Sequence, residues 1–323
     1  MEQAATSGDT WPIVHRERDR YSACLYNDSI KWRETAVFSV DEVPAAPEQS
    51  GWLARLDLEY SYLVAAARTG LTRRSHAGPL AVQKSLYPEG PAVCHTLILH
   101  PPGGIAGGDR LDIGIGLHAG AQVLITMPGA SKWYGSPDAV AALRLRVRVE
   151  ADAALEWLPP ETIVFNHAAP RMHTSIDLAA GACYIGWEIL CLGRTASGET
   201  FAAGAIRQTT EIALAGDLIW SERCNLAGGS RLLTAAAGLG GAPVSAVMLA
   251  AGRSVAPELV AQCRGMTLDG AARCGITALP NILVARYTGH SSEQAKAYFI
   301  GLWRLLRPCF TGRAAVTPRI WNT

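Results

Sequence analysis

Three glutamates stand in apolar surroundings where an ionised side chain is costly, and Asp109 in a glycine-rich loop could join them. Glu156 and Glu161 lie in the segment Leu-Glu-Trp-Leu-Pro-Pro-Glu, Glu188 lies in Gly-Trp-Glu-Ile-Leu, and Asp109 ends a glycine-rich segment. A buried charge needs a counter-ion, water or a metal. One interpretation is an ion pair or a backbone hydrogen bond for each. The other is a hydrated internal passage, because oxygen ligands and water hold a divalent transition metal more loosely than Cys and His clusters do.

The glycine-rich segment itself, Pro101–Asp109, suggests phosphate binding only at first sight. A P-loop carries Lys-Ser or Lys-Thr after its last glycine, whereas Asp109 follows here and would repel phosphate. A dinucleotide site requires a helix after the glycines, but residues 111–115 alternate like a strand. The pattern therefore predicts a structural corner between two strands.

Other catalytic or tight metal-binding sets are absent from the sequence. There is no G-x-S-x-G, H-E-x-x-H or paired-cysteine motif, and the eight cysteines are scattered. Cys94 and His95 are adjacent on a predicted strand, so they point to opposite faces and cannot chelate one ion together. We expect the histidines to be structural or at the surface, and the cysteines to be mostly buried thiols.

Composition excludes several classes of function. The chain has 323 residues, a net charge of +1 and 18 % charged residues, which gives no basic excess for nucleic acid or an anionic membrane. No apolar run approaches the ~18 residues of a membrane span, and no secretory signal is present. Scattered cysteines without pairing motifs indicate reduced thiols, so the sequence predicts a cytoplasmic protein.

The elements that must position these residues are mainly strands. In residues 143–149, leucines and valines alternate with Arg144, Arg146 and Arg148, which predicts a strand with one solvated face. Small-residue turns centred at 120, 152, 181 and 216 recur about every 30 residues with strands between them. This weak repeat predicts stacked ribbons, as either a sandwich or a β-solenoid.

Helices are predicted only in the C-terminal third, at 257–264 and at 292–307, with Ser291 as the cap and Pro308 as the end. The second helix carries a broad apolar stripe. It packs either on its own sheet or on a partner, and the candidate partner-binding residues are Phe299, Leu302, Trp303, Leu306 and Trp321. Residues 1–50 are polar and aperiodic, which indicates a loosely ordered extension before a single domain at 51–323.

Five colinear blocks resemble the urease accessory proteins of the UreD (UreH) family. They are the stretch from GPLAVQKSLYPEGP to HPPGGIAGGDRL at 78–111, MPGASKWY at 127–134, LEWLPPETIVF at 155–165, GWEILCLGR at 186–194 and PRIWNT at 318–323. The resemblance implies a β-helical fold and a metallochaperone scaffold that is not an enzyme. It further implies Ni²⁺ in transit without a tightly bound cofactor, binding to apo-urease, UreF and the GTPase UreG, and a dimeric state within the accessory complex.

With this resemblance, Glu156, Glu161, Glu188 and Asp109 become candidates for a nickel passage. The alternative from another class is a β-solenoid hydrolase that uses a carboxylate pair such as Glu156 and Glu161. A tight metal-storage protein is a third interpretation, but it requires clustered soft ligands, which the sequence spreads out.

Overall fold

Strands build most of the chain that the computed structural model describes, which comprises residues 51–136, 139–268 and 270–322. These residues belong to one unit that spans Glu48–Thr323. The predicted extension at residues 1–50 lies outside the described residues. No helix in the described part is long and apolar enough to cross a membrane.

The strands are numbered in chain order. The first nine are β1 (Leu53–Leu63), β2 (Arg68–Ala77), β3 (Ala81–Val82), β4 (Val93–Leu99), β5 (Arg110–Leu117), β6 (Gln122–Thr126), β7 (Ser131–Trp133), β8 (Ala141–Val149) and β9 (Ala154–Trp157). The remaining eight are β10 (Thr162–Val164), β11 (Pro170–Leu178), β12 (Cys183–Leu192), β13 (Ala205–Leu214), β14 (Asp217–Ala227), β15 (Val244–Ala251), β16 (Arg273–Leu279) and β17 (Ile282–Gly289).

The strands form two separate sheets. The first sheet has the order β14-β13-β11-β8-β5-β1-β2, and the second has the order β16-β17-β15-β12-β9-β6-β4-β3, with β10 joining β7 to β12. Strands β1, β5, β8, β11 and β13 pair in parallel, and so do β4, β6, β9 and β12. The chain alternates between the sheets, so each turn adds one strand to each sheet. The fold is therefore the solenoid-like arrangement of stacked strands that the resemblance implies.

The four predicted turn centres are the sharp corners of this arrangement. Gly120, Asp152 and Gly181 have φ of 73°, 58° and 81°, and each lies where the chain leaves the first sheet for the second. The corners stack on one another, since the amide of Gly120 donates to the carbonyl of Ala151 at 3.1 Å. Gly216, with φ of 92°, forms the hairpin turn between β13 and β14. Small residues recur here because a left-handed backbone disfavours large side chains.

Two apolar cores result. The first lies between the sheets and contains the inward side chains of β8, among them Leu145, Val147 and Val149. The second lies between the outer face of the second sheet and two helices, α2 (Pro257–Arg264) and α3 (Ser292–Thr311). A single-turn helix, α1, is numbered first in chain order and spans Arg231–Thr234.

Helix α3 begins as predicted but ends later. The hydroxyl oxygen of Ser291 accepts the amide of Gln294 at 3.0 Å, which caps the first turn. The prediction that Pro308 ends the helix is wrong, because the helix continues to Thr311 and is closed by Gly312 at φ 70°. Proline removes one hydrogen bond near a helix end. Buried contacts of Arg307, described below, hold the last turn in place.

Candidate functional site

A cavity of about 110 Å³ lies between the two sheets. Its wall is mostly apolar, but seven polar side chains also line it, contributed by both sheets and by the segment after β4: His100, Ser131, Thr162, Thr174, Tyr184, Glu188 and Thr210. Polar groups inside an apolar core need hydrogen-bond partners, and a cavity of this size with several of them can hold water. This cavity is the candidate site.

Glu188 lies between this cavity and the protein surface. Its carboxylate accepts a hydrogen bond from the side-chain amide of Gln208 on β13. The same residue also lines a separate pocket of about 70 Å³, together with Cys224 and an ion pair between Glu222 and Arg286 at 2.7 Å. Glu188 is thus the charged group shared by the inner cavity and the outer pocket.

The surroundings of Glu188 tune its protonation. The pKa of Glu188 is raised to about 7, mainly by burial; the hydrogen bond from Gln208 opposes this rise and the charge of Glu222 adds to it. The carboxyl therefore exchanges its proton near neutral pH. An arriving cation would favour the ionised form, because an opposite charge nearby lowers a carboxyl pKa.

His100 contributes the only imidazole among the seven polar side chains of the cavity. Burial lowers its pKa, and the charge of Asp109 opposes this effect only in part. The ring is therefore neutral at pH 7, and a neutral imidazole can accept a hydrogen bond or a metal ion. No sequence pattern distinguishes His100 from the other histidines.

Glu156 lies on the opposite face of the second sheet from Glu188. Residue 156 pairs with Ile185, three residues before Glu188, so the alternation of β12 directs the two carboxylates to opposite faces. Glu156 is 2 % exposed and faces α3. Its oxygens accept hydrogen bonds from Nε of Arg307 at 2.8 and 3.1 Å and from Nη2 of Arg307 at 2.9 Å. They also accept one from Nε1 of Trp303 at 2.5 Å. This carboxylate is held by an ion pair, the first of the two interpretations.

The ion pair extends to a second carboxylate that the sequence analysis missed. The two terminal nitrogens of Arg307 donate to Glu89 at 2.6 and 2.8 Å, and Glu89 also contacts Nε2 of His95 at 2.6 Å. Burial alone would raise the pKa of Glu89, but the hydrogen bonds to His95 and Arg307 outweigh it and hold the pKa below its usual range. Arg307 directly follows Leu306, the last residue of the apolar stripe of α3. This position beside the buried stripe is the sequence feature that could have indicated a buried arginine.

The other two candidate carboxylates are placed apart from the cavity wall around Glu188. The oxygens of Asp109 accept the backbone amides of Trp52 and Ala106, each at 2.8 Å, which fixes the glycine-rich corner. Glu161 is half-buried before β10, and its charge adds to the burial that raises the pKa of Cys191 to about 11. The structure therefore does not bring the four carboxylates together.

The candidate partner-binding residues of α3 pack on the second sheet. Phe299, Leu302, Trp303 and Leu306 are each 0 % exposed. Trp321 is half-buried, with its ring centroid 5.7 Å from that of Trp303, and its Nε1 donates to the hydroxyl of Thr126 at 3.0 Å. The interpretation that the stripe packs on its own sheet is confirmed, while a role for this region in partner binding stays a prediction.

No group of three or more His, Cys, Asp or Glu in the described residues has a geometry that could hold a metal ion. The cavity offers a carboxylate, an imidazole and hydroxyls on separate strands. Such dispersed ligands suit weak, water-assisted contacts with a passing cation.

Comparison with known proteins gives one consistent result. The family model described as "UreD urease accessory protein" matches residues 53–322. A protein named "Urease accessory protein UreD" from Methylobacillus flagellatus is 45 % identical over 284 residues, covering 88 % of this chain and 99 % of the relative. Proteins of the same name from Nitrosococcus oceani and Dechloromonas aromatica are 49 % and 47 % identical, covering 84 % and 86 % of this chain and 90 % and 97 % of theirs.

Proposed function

Because the chain belongs to the UreD family of urease accessory proteins, we propose that it is a scaffold for nickel insertion into urease. It bridges apo-urease and the accessory proteins UreF and UreG, as a dimer within that complex and in the cytoplasm. Ni²⁺ is its cargo and not a resident cofactor. The hydrolytic chemistry belongs to urease and the nucleotide site belongs to UreG.

One observation in particular supports a passage for the cargo. Glu188 lines both the inner cavity and the outer pocket, and its pKa of about 7 lets it change charge when a cation arrives. Threonine and serine hydroxyls continue the polar lining inside. Oxygen ligands of this kind bind a divalent transition metal weakly enough for release.

Among the other candidates, Asp109 and Glu156 make contacts typical of structural carboxylates, so the proposed passage rests on Glu188. Glu161, which lines neither the cavity nor the outer pocket, stays a candidate without a contact that supports it. The alternative of a carboxylate-pair hydrolase loses support, because Arg307 and Trp303 occupy both oxygens of Glu156. A general acid must be free to hold and transfer its proton.

The bridging role is tested by co-purification. The tagged full chain is mixed with UreF, with UreG and with apo-urease of the same host, singly and together. We expect a complex with UreF, and a larger one when UreG and apo-urease are added. A folded chain that retains none of the three proteins would contradict the proposal. An unrelated β-solenoid protein with the same tag serves as the control.

A further inference from the structure

Five arginines cluster on the outer face of the first sheet. They lie on five neighbouring strands of this sheet, and we call them the arginine patch: Arg110 on β5, Arg144 on β8, Arg171 on β11, Arg207 on β13 and Arg223 on β14. Four are exposed and Arg171 is half-buried. The residues next to them along each strand, such as Leu111, Leu145 and Met172, point into the core, so all five arginines face outward.

Strand register fixes how close the arginines are. Arg171 lies directly opposite Arg207, and Ala142 alone separates Arg171 from Arg110 in the same row. Arg144 and Arg223 belong to the next row, separated by His173 and Thr209. Neighbouring strands lie about 4.8 Å apart and same-face residues about 6.6 Å apart, so the patch covers about 19 Å by 7 Å.

The five guanidinium groups are not held in ion pairs within the described residues, and Asp112, opposite Arg144, pairs with Arg146 instead. None of these arginines forms an ion pair or a side-chain hydrogen bond with another residue of the described chain. Arginines in the following rows differ, because Arg146 pairs with Asp112 at 2.8 Å and Arg148 with Asp177 at 3.9 Å. Like charges about 4 Å apart repel by about 1 kcal/mol even in water. An anionic group on this face would relieve such repulsion between Arg171 and Arg207, which are direct neighbours.

The two longer helices, α2 and α3, pack on the second sheet and not on this face. Helix α3 packs on β12, β15 and β17, and α2 packs on β16, all of which belong to the second sheet. His173, between the arginines, has its pKa lowered by burial and also by the charge of Arg144, although Glu211 opposes this. The imidazole therefore adds no positive charge at pH 7, and the face remains open to an anionic partner.

The surroundings of the patch narrow the chemistry of that partner. On the five strands of the patch, the two rows contain no large apolar side chain among the described residues. The first row continues onto β1 with the exposed Leu53, opposite Arg110, but a single leucine beside five arginines is too little for membrane insertion. Asp112 lies in the second row itself, directly opposite Arg144, and Glu211 and Asp177 lie in the following rows on one side of the patch. These carboxylates would repel a long polyanion such as nucleic acid. A short, carboxylate-rich protein surface fits instead, because guanidinium groups bind carboxylates in a bidentate, directional way.

We propose that the arginine patch is the docking surface for an acidic patch on a protein partner. The inference deepens the proposed function and rests on it only for the partner's identity, which is a component of the urease maturation complex. The carboxylates that border the patch favour one orientation of that partner, because they repel its acidic groups on that side.

The test compares the full chain with the double variant Arg144→Glu/Arg207→Glu. The matched control is Arg74→Glu, an exposed arginine on the edge strand β2 of the same sheet. Arg144→Gln/Arg207→Gln replaces the double reversal if the latter unfolds. Binding is measured with labelled hexaglutamate peptide, a duplex oligonucleotide, UreF, UreG and apo-urease, each at 50 and 300 mM NaCl.

We expect salt-sensitive binding of the peptide and of at least one of the three proteins. The double variant should weaken both at least tenfold, while Arg74→Glu changes them less than twofold. Unchanged protein binding in the double variant overturns the patch and leaves the scaffold role intact. If the wild-type chain binds none of the three proteins, the scaffold role is contradicted. The patch is then judged by the peptide alone: binding that the double variant does not weaken overturns it. The proposal is also overturned if the patch binds the duplex more tightly than it binds the peptide and the proteins. It is likewise overturned if the chain self-associates in a salt-dependent way that the double variant loses.

Discussion

Arg307 on α3 joins Glu156 on β9 to Glu89 in the loop before β4, across 151 and 218 residues of sequence. All three side chains are buried, at 5 % exposure or less. Burial lowers the pKa of Arg307, but hydrogen bonds to Glu89 and Glu156 outweigh it and raise the pKa. One cation therefore balances two carboxylates where the helix meets the sheet.

Replacing Arg307 with leucine should lower the free energy of unfolding by about 3–5 kcal/mol, because two buried carboxylates lose their counter-ion. Urea-induced unfolding at pH 7 measures the change. Arg304→Leu on the same helix is the control, since Arg304 is exposed and bonds only to the hydroxyl of Thr317 in the described chain. We expect that control to stay within about 0.5 kcal/mol of wild type. A loss below 1 kcal/mol in Arg307→Leu would show that the pair does not hold the helix.

Glu188→Gln should change the pH dependence of stability. The folded pKa of about 7 exceeds the usual value of 4.5, so the folded state keeps a proton that the unfolded state loses between these values. Stability attributable to Glu188 therefore falls as pH rises through this window. The variant lacks this loss. The difference in free energy of unfolding between the variant and the wild type should therefore shift by about 1–3 kcal/mol in favour of the variant between pH 4.5 and pH 8. A difference that is constant with pH would contradict the raised pKa.

Glu188→Leu should reduce activation of urease far more than Glu188→Gln does. Leucine fills the junction between cavity and pocket with apolar volume, whereas glutamine retains polarity and shape. Urease activity and nickel content after co-expression give the result. Both variants must still co-purify with UreF and apo-urease. If the leucine variant assembles and activates urease normally, no nickel passes this residue; if it fails to assemble, its role is structural.

Asp109→Ala should destabilise the chain by about 2–3 kcal/mol, because the amides of Trp52 and Ala106 lose their acceptor. Asp109→Asn keeps one acceptor oxygen and should cost about half as much. Thermal unfolding of both variants measures this order. The opposite pattern, unchanged stability with nickel-poor urease, would return Asp109 to the metal route.

Most of the fold could be predicted from two sequence features, the repeat of small-residue turns and the alternation of apolar and polar residues. Corners at Gly120, Asp152 and Gly181 were predictable because each needs a left-handed backbone, and strand β8 was predictable because arginines alternate with leucines and valines. The order in which the strands stack was not predictable from the repeat, since a period of about 30 residues suits a sandwich as well as a solenoid. The resemblance decided between them.

The candidate site was only partly predictable. An apolar neighbourhood indicated burial of Glu156 and Glu188 but not the partner of either, because Arg307 and Gln208 lie far away in sequence. Helix α3 was expected to end at Pro308, and the buried contacts of Arg307 that extend it are tertiary. His100 has no distinguishing sequence context, so only the cavity identifies it.

The nickel content of urease from a strain that lacks this chain tests the central claim most directly. Urease is purified from the deletion strain, from the same strain complemented with the wild-type chain, and from one complemented with Glu188→Leu. The account predicts normal amounts of urease protein with little nickel and little activity in the deletion strain, and recovery of both with the wild-type chain. Full nickel occupancy without the chain would contradict it.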